Sequence, residues 1–358
     1  MNKLKLRSFI TAAALTVAFT SCHKDRVEPN PVNPVAERAG VYILNEGSFN
    51  QNNSTLTYYD YTTKVAIDDI FSKVNSRGLG DTGNDAQIYG SKMYITVNVS
   101  STLEVLNAKT ARSIKQIKMD DNGTDRQPRY VVFNKNKAFI SSYDGTIAVL
   151  DTASLTIEKY IKVGRNPEQM VIANGKLYVA NSGGLDLDTP DKTVSVIDLN
   201  TLTETKKIEV PANPTTISAD GFGDVYVVSY GNYSASPKLT IIDNKTDVVK
   251  NTKDIDLGYG SEFLVSGDVA YYYSDAKKIK VYDVKTETVK TKSFISGNVT
   301  LAIPYSLAID NNTGELFVGD AVSYTGSSGL LYAFDKTGKM EYSVKTGINP
   351  GAIVLVNK

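Results

Sequence analysis

The residues able to do chemistry are distributed unusually in this chain. One histidine, His23, and one cysteine, Cys22, stand side by side near the N-terminus, and the 335 residues that follow contain neither type. Serine–histidine and cysteine–histidine nucleophiles, and any histidine-ligated metal, therefore have no side chains to be built from in the body of the chain. Carboxylates, tyrosines and arginines remain. Asp186, Asp188 and Asp191 in "DLDTPD" could offer oxygen ligands to Ca²⁺, but the loop lacks the glycine and distal glutamate of an EF-hand, and a solvated acidic loop is the favoured reading. Glu46, Asp85, Glu168 and Glu262 are the acids on which a Ca²⁺-dependent lactonase or lyase would draw, and their wide separation favours solvated or paired roles. Composition points toward binding rather than catalysis, and the elements that carry these residues sharpen that reading.

Those elements repeat. "IAVLDTASLTIEKYIKVGRNP" (147–167) and "VSVIDLNTLTETKKIEVPANP" (194–214) share one plan: an apolar strand ending in Asp, a Thr-rich turn, an amphipathic strand and a loop closing on Asn-Pro. The apolar strand recurs as "LTYYD" (56–60), "LEVLN" (103–107), "IAVLD" (147–151), "VSVID" (194–198), "LTIID" (239–243), "IKVYD" (279–283) and "LYAFD" (331–335). A period of about 45 residues holding four short strands is that of a β-propeller blade. The first repeat starts at "VYILNE" without an innermost strand, and "GAIVLVNK" (351–358) is a strand with no repeat of its own. The expected fold is all-β: a seven-bladed propeller over residues 40–358, closed by the C-terminal strand pairing into the first blade. No stretch shows helical periodicity, so no helix is expected. The 22 tyrosines and the absence of tryptophan fit the strand-rich reading.

Ahead of the propeller, "MNKLKLRSFITAAALTVAFTSC" joins basic Lys3, Lys5 and Arg7 to a short apolar run, the pattern of a secretory signal over residues 1–21. Its end, "AFTSC", resembles a bacterial lipobox, which makes Cys22 the lipidated first residue of the mature protein. Residues 22–39 form a tether, and its proline-rich stretch 24–38 reaches roughly 45 Å if extended. Basic and acidic residues balance at 39 each, without a basic cluster, which excludes a nucleic-acid footprint.

The loops joining an outer strand to the next blade, and those between the two middle strands, share one face. They carry Phe49, Tyr143, Tyr230, Tyr233, Tyr259, Tyr273, Tyr305 and Tyr324 beside Arg77, Arg126, Arg129 and Arg165, a set suited to a large ligand with apolar edges and amide or phosphate groups. Each tyrosine taken singly reads better as a packing residue within a blade, its hydroxyl at the rim. The recurring Asn-Pro pairs are read as turn formers.

The pieces "VGRNPEQMVIANGKLYVANS" (163–182) and "TVSVIDLNTLTETKKIEV" (193–210) resemble the YncE-like, YVTN-type propellers of bacterial envelopes. The opening "GVYILNEGSFNQNNSTLTYYD" (40–60) with the lipobox looks like surface lipoproteins of gut Bacteroidetes, a group that includes the BtuG cobalamin-binding proteins. That resemblance implies an outer-membrane, lipid-anchored protein without enzymatic activity. It would hold cobalamin or a related corrinoid as a bound ligand, without a cofactor of its own, and pass it to a BtuB-like TonB-dependent transporter. A Ca²⁺-dependent hydrolase or lyase, and a scaffold for another envelope protein, remain the alternatives.

Overall fold

The computed structural model describes residues 37–184, 186–232, 234, 236–258, 260–323 and 326–358. Cys22, His23, the signal and residues 22–36 of the tether lie outside this set. Seven four-stranded antiparallel sheets account for nearly all of the strands. Their inner strands are Gly83–Tyr89, Pro128–Asn134, Pro167–Ala173, Pro214–Ala219, Leu264–Ser266, Pro304–Ile309 and, in the first blade, Pro350–Asn357. The last of these pairs with Arg38–Asn45, placing Val41 opposite Leu355 and Ile43 opposite Ile353. The ring closes as expected, with the C-terminal strand innermost in the first blade, so neither blade edge at the join is left open.

The Asp or Asn that ends each third strand is a turn device. In all seven blades this side chain accepts backbone N–H groups a few residues ahead. Asp151 takes those of Ala153 and Ser154 (3.0 and 2.8 Å), and Asp198 those of Asn200 and Thr201 (2.8 and 2.9 Å). Asp60, Asn107, Asp243, Asp283 and Asp335 do the same. In six blades the residue four places on is left-handed, as at Leu155 (φ 55°), Leu202 (φ 54°) and Asp247 (φ 56°), while in the seventh it is Gly338, three places on. A short side chain that mimics a backbone acceptor secures this tight reversal.

Tyrosine is abundant because it packs between blades. Tyr42, Tyr94, Phe139, Tyr178, Tyr226 and Phe317 occupy the second strands and are almost wholly buried. Their hydroxyls reach across the seams: Tyr226 donates to the Val284 carbonyl (3.2 Å) and Tyr178 to that of Asn244 (3.2 Å). Aromatic bodies fill the wedge between twisted sheets, while the polar tip finds a neighbouring backbone acceptor.

The expectation of no helix fails at one place. Ile70–Asn75 is helical, capped by Asp69 accepting from the Ser72 N–H at 3.2 Å and ended by a left-handed Ser76. Six residues are too few to show a helical period in sequence. Here the outer strand of the first blade shrinks to Ala66–Ile67, and the helix buries Phe71 in the space this leaves. Asn75 then ties the helix to the second blade through the Ala111 carbonyl (2.9 Å) and the Ser113 N–H (2.8 Å).

Candidate functional site: a funnel at the head of the central channel

Four of the seven inner strands enter the channel in the same way. Gln127, Asn166, Asn213 and Asn349 adopt φ between 45° and 59°, and each precedes a proline that starts a strand. Asn tolerates this conformation, and its side chain adds a brace: Asn213 donates to the Gly231 carbonyl and Asn349 to that of Gly47, both at 3.0 Å. The Asn-Pro pairs are turn formers, as expected. Their consequence is less local. Pairing with the second strand slips between Gly83 and Asp85, Pro128 and Val131, Pro167 and Met170, Pro214 and Thr216, and Pro304 and Ser306. A bulge at this point re-aims consecutive side chains and holds two tiers of residues at the axis.

The upper tier and the ends of the second strands enclose a cavity of about 440 Å³ lined by Glu46, Arg129, Tyr130, Tyr230, Tyr273 and Tyr305, with Asn84, Gln169, Thr215, Thr216, Gly260, Glu262 and Gly351. Gly351 is there for space. A Cβ at this position would stand 2.6 Å from Glu46 Oε1, so any larger residue would displace that carboxylate.

One ion pair anchors the funnel. Arg129 Nε donates to Glu168 Oε2 at 2.8 Å, and the Tyr143 hydroxyl donates to the other carboxylate oxygen. The guanidinium also lies 4.7 Å from the Tyr143 ring centroid and 5.7 Å from that of Tyr130. Burial works against its charge, but Glu168 and the two phenols outweigh this and hold the Arg129 pKa well above its ordinary value. Among the described residues, no further acceptor engages its terminal nitrogens. Arg129 is thus a rigid cation with N–H groups to spare.

Across the funnel, Glu46 accepts from the Tyr305 hydroxyl at 2.7 Å. Burial pushes its carboxyl up to about 7, against the opposing pull of that hydrogen bond and of Arg129. Deeper in the channel, Asp85 accepts the Val131 N–H at 2.9 Å and the Gln87 amide at 3.1 Å, and burial raises it to about 6. Glu262, beside Asp85, is raised by burial and by that neighbour to about 8. The four acids, far apart in the chain, therefore converge on the channel, and one of them, Glu168, is paired with Arg129.

The expected ligand face divides into three groups. Arg129, Tyr143, Tyr230, Tyr273 and Tyr305 do meet around the funnel. Tyr230 is almost fully buried and donates to the Ser261 carbonyl at 2.7 Å, so its hydroxyl braces the wall. Arg77, Arg126 and Arg165 do not join it. Arg77 stacks on Phe71 at 4.8 Å and pairs with Glu104 at 2.9 Å in the seam between the first two blades. Arg126 lies over Tyr160 at 4.0 Å and pairs with Asp144 and Asp121. Arg165 pairs with Asp186 at 3.2 Å on an exposed loop. Phe49 is 69% exposed on its loop at the rim. Tyr233, Tyr259 and Tyr324 lie outside the described residues.

The acidic loop is likewise committed. Asp186 accepts from Thr189 and Arg165, and Asp191 from the Arg165, Lys192 and Thr193 donors. No group of three acids, histidines or cysteines among the described residues could hold a metal ion. Sequence reasoning missed Asn84, Tyr130, Gln169, Thr215, Thr216 and Gly351. Their signal was present: each follows within two residues of the proline or glycine that opens an inner strand.

Residues 39–349 match the family described as "Domain of unknown function (DUF5074)". The chain belongs to that family. No curated protein matches it. Among solved structures it is similar to a quinonprotein alcohol dehydrogenase-like protein from Bacteroides thetaiotaomicron VPI-5482, at 19% identity and a TM-score of 0.64 over 90% of this chain and 79% of that one. It is also similar to Kuenenia stuttgartiensis hydrazine synthase, at 14% identity and a TM-score of 0.62 over 76% of this chain and 89% of that one. The computationally designed Ika8 protein aligns at 13% identity and a TM-score of 0.58, covering 88% and 92% of the two chains. At these identities the likeness is one of fold, which propellers lend to many activities.

Proposed function

We propose that this protein is a non-enzymatic, lipid-anchored binding protein of the outer-membrane surface. Its ligand is a corrinoid, seated on the funnel and passed on to a TonB-dependent transporter. One observation carries the binding reading: Arg129, fixed by Glu168 and two tyrosines, offers spare donors in the lining of a tyrosine-walled cavity. Preorganised donors and aromatic walls suit capture, because little side-chain freedom is lost on binding. The corrinoid identity rests on the resemblance carried by the lipobox and the opening 40–60. A corrinoid ring is wider than the cavity. It would lie across the mouth against Phe49, with an amide arm or the nucleotide phosphate reaching Arg129 and amide donors reaching Glu46. The propeller body contains no histidine to ligate cobalt, so bound cobalamin keeps its own base on the metal.

Cyanocobalamin titrated into the purified protein is the direct test, read by its absorption spectrum. Saturable binding with a base-on spectrum is expected, and Arg129→Ala or Tyr305→Ala should weaken it by about 1–3 kcal/mol. Absence of binding, or a base-off spectrum, refutes the corrinoid reading. The anchor is tested separately, since Cys22→Ser should move the protein out of the membrane fraction without altering its melting.

A further inference from the structure

The channel continues past the funnel. Asn84, Tyr130, Gln169, Glu262 and Gly351 line both the funnel and a second cavity of about 410 Å³, and so form a waist between the two. The second chamber extends along the inner strands to Asn311, in the turn that ends the seventh blade's inner strand, where Ser266 donates to the Asn311 side chain at 2.6 Å. Its character differs from that of the funnel. Val171, Val265, Leu307, Ile309 and Ile353 wall it, and Asp85 and Glu262 stand at its waist end. No lysine or arginine is among the residues that line it.

We propose that this lower chamber binds a primary ammonium ion carried on a small apolar body, an alkylamine or aralkylamine. The ammonium lies against the Glu262 and Asp85 carboxylates and the body against the valine and isoleucine side chains. The site is distinct from the one used by the corrinoid reading and does not rest on it.

Three features of the chamber support this. Two carboxyl groups stand in a chamber whose lining mixes aliphatic with polar side chains, and no lysine or arginine lines it, whereas Glu168 in the funnel is ion-paired with Arg129. A charge in such a place is tolerated when a partner arrives to neutralise it. Neutral hydrogen-bonding groups surround the pair: Asn84, Gln169 and the Tyr130 hydroxyl at the waist, and Gln87 on Asp85. These can take the remaining ammonium N–H bonds through their oxygens. Finally, an anion is disfavoured by both acids, and a neutral apolar molecule leaves the carboxyl groups unmatched.

Protonation follows from the same arrangement. The charged and titratable groups facing Glu262 are Asp85 and Tyr130, with Glu46 and Arg129 above the waist. Glu262 is held neutral up to about 8, so a cation binding at pH 7 displaces its proton. Alkylammonium groups keep their charge to about pH 10, as lysine does. Affinity should therefore rise from pH 6 to pH 8.5 and then level off.

Hexylammonium, hexanol and hexanoate, titrated calorimetrically into the full chain, provide the test. Hexylammonium should bind at one site, at least about tenfold more tightly than either analogue. At pH 7 its heat should depend on the buffer's ionisation enthalpy, in the sense of proton release. Glu262→Gln should cost hexylammonium about tenfold and leave hexanol unchanged, and Asp85→Asn, which keeps an acceptor for the Val131 N–H, should cost less. Equal or tighter binding of hexanol or hexanoate, affinity indifferent to Glu262→Gln, or no binding of hexylammonium would overturn the proposal. Cyanocobalamin is read by absorption and hexylammonium by heat, so either site can fail alone.

Discussion

The protein holds two kinds of arginine–carboxylate pair, and the contrast shows what the channel is for. At the rim, Arg165 and Asp186 are about half exposed, at 52% and 44%. Water screens them, and holding two mobile side chains together offsets most of their attraction. At the axis, Arg129 and Glu168 are 18% and 5% exposed, and the pair is further fixed by Tyr143 and Tyr130. Such a pair adds little to stability relative to apolar packing, but removing one partner strands the other. A buried, rigid cation in the funnel's lining is a costly arrangement that a blade core does not need, which is why the funnel reads as a binding site and the rim pair as surface.

The comparison can be broken at several levels. The largest effect should come from deleting Pro350–Lys358, which leaves Arg38–Asn45 without its inner neighbour and opens the ring. A net stability of about 5–15 kcal/mol is smaller than the loss of a whole strand, so the truncated chain should fail to melt cooperatively. Circular dichroism melts decide this, and a transition like that of the full chain would contradict closure. Next, Glu168→Ala should destabilise by about 3–5 kcal/mol in urea titrations, because Arg129 is left buried and unpaired. The double variant Glu168→Ala/Arg129→Met should recover much of that loss.

A smaller effect lies in pH. Glu262, Glu46 and Asp85 have native pKa values above their ordinary range, so the folded state holds protons that the unfolded chain has released. Stability should fall as pH rises from about 4.5 to about 8, where Glu262 finishes ionising, and then stop falling from this cause. Urea midpoints across this range should show the decline, and Glu262→Gln should flatten it. The smallest effect belongs to the rim: Arg165→Ala should change stability by less than about 1 kcal/mol and vanish in high salt. A loss matching that of Glu168→Ala would erase the distinction between the two pairs.

How far the site was legible depended on whether its signal was local. The Asp at the end of each third strand announces a turn because its side chain satisfies N–H groups two and three residues away. Asn-Pro likewise announces the left-handed step before three of the inner strands, at Asn166, Asn213 and Asn349. Arg77 looked equivalent to Arg129, as a polar residue in an inter-blade loop. It was diverted by a six-residue helix that carries no readable period and places Phe71 beneath its guanidinium.

By itself the sequence determined the blade count, the four-strand repeat, the turns and the joining of the C-terminal strand to the first blade, since each follows from short-range patterning repeated at an interval of about 45 residues. Only the tertiary structure decided which of the scattered acids, tyrosines and arginines share a site. The ring brings Glu46, Arg129, Glu168 and Glu262 from four blades to one axis, and a bulge in most of the inner strands sets which residues turn inward. A shift of one residue exchanges the faces of a strand. Side-chain direction at the channel therefore depends on pairing partners far away in the chain, which no local pattern records.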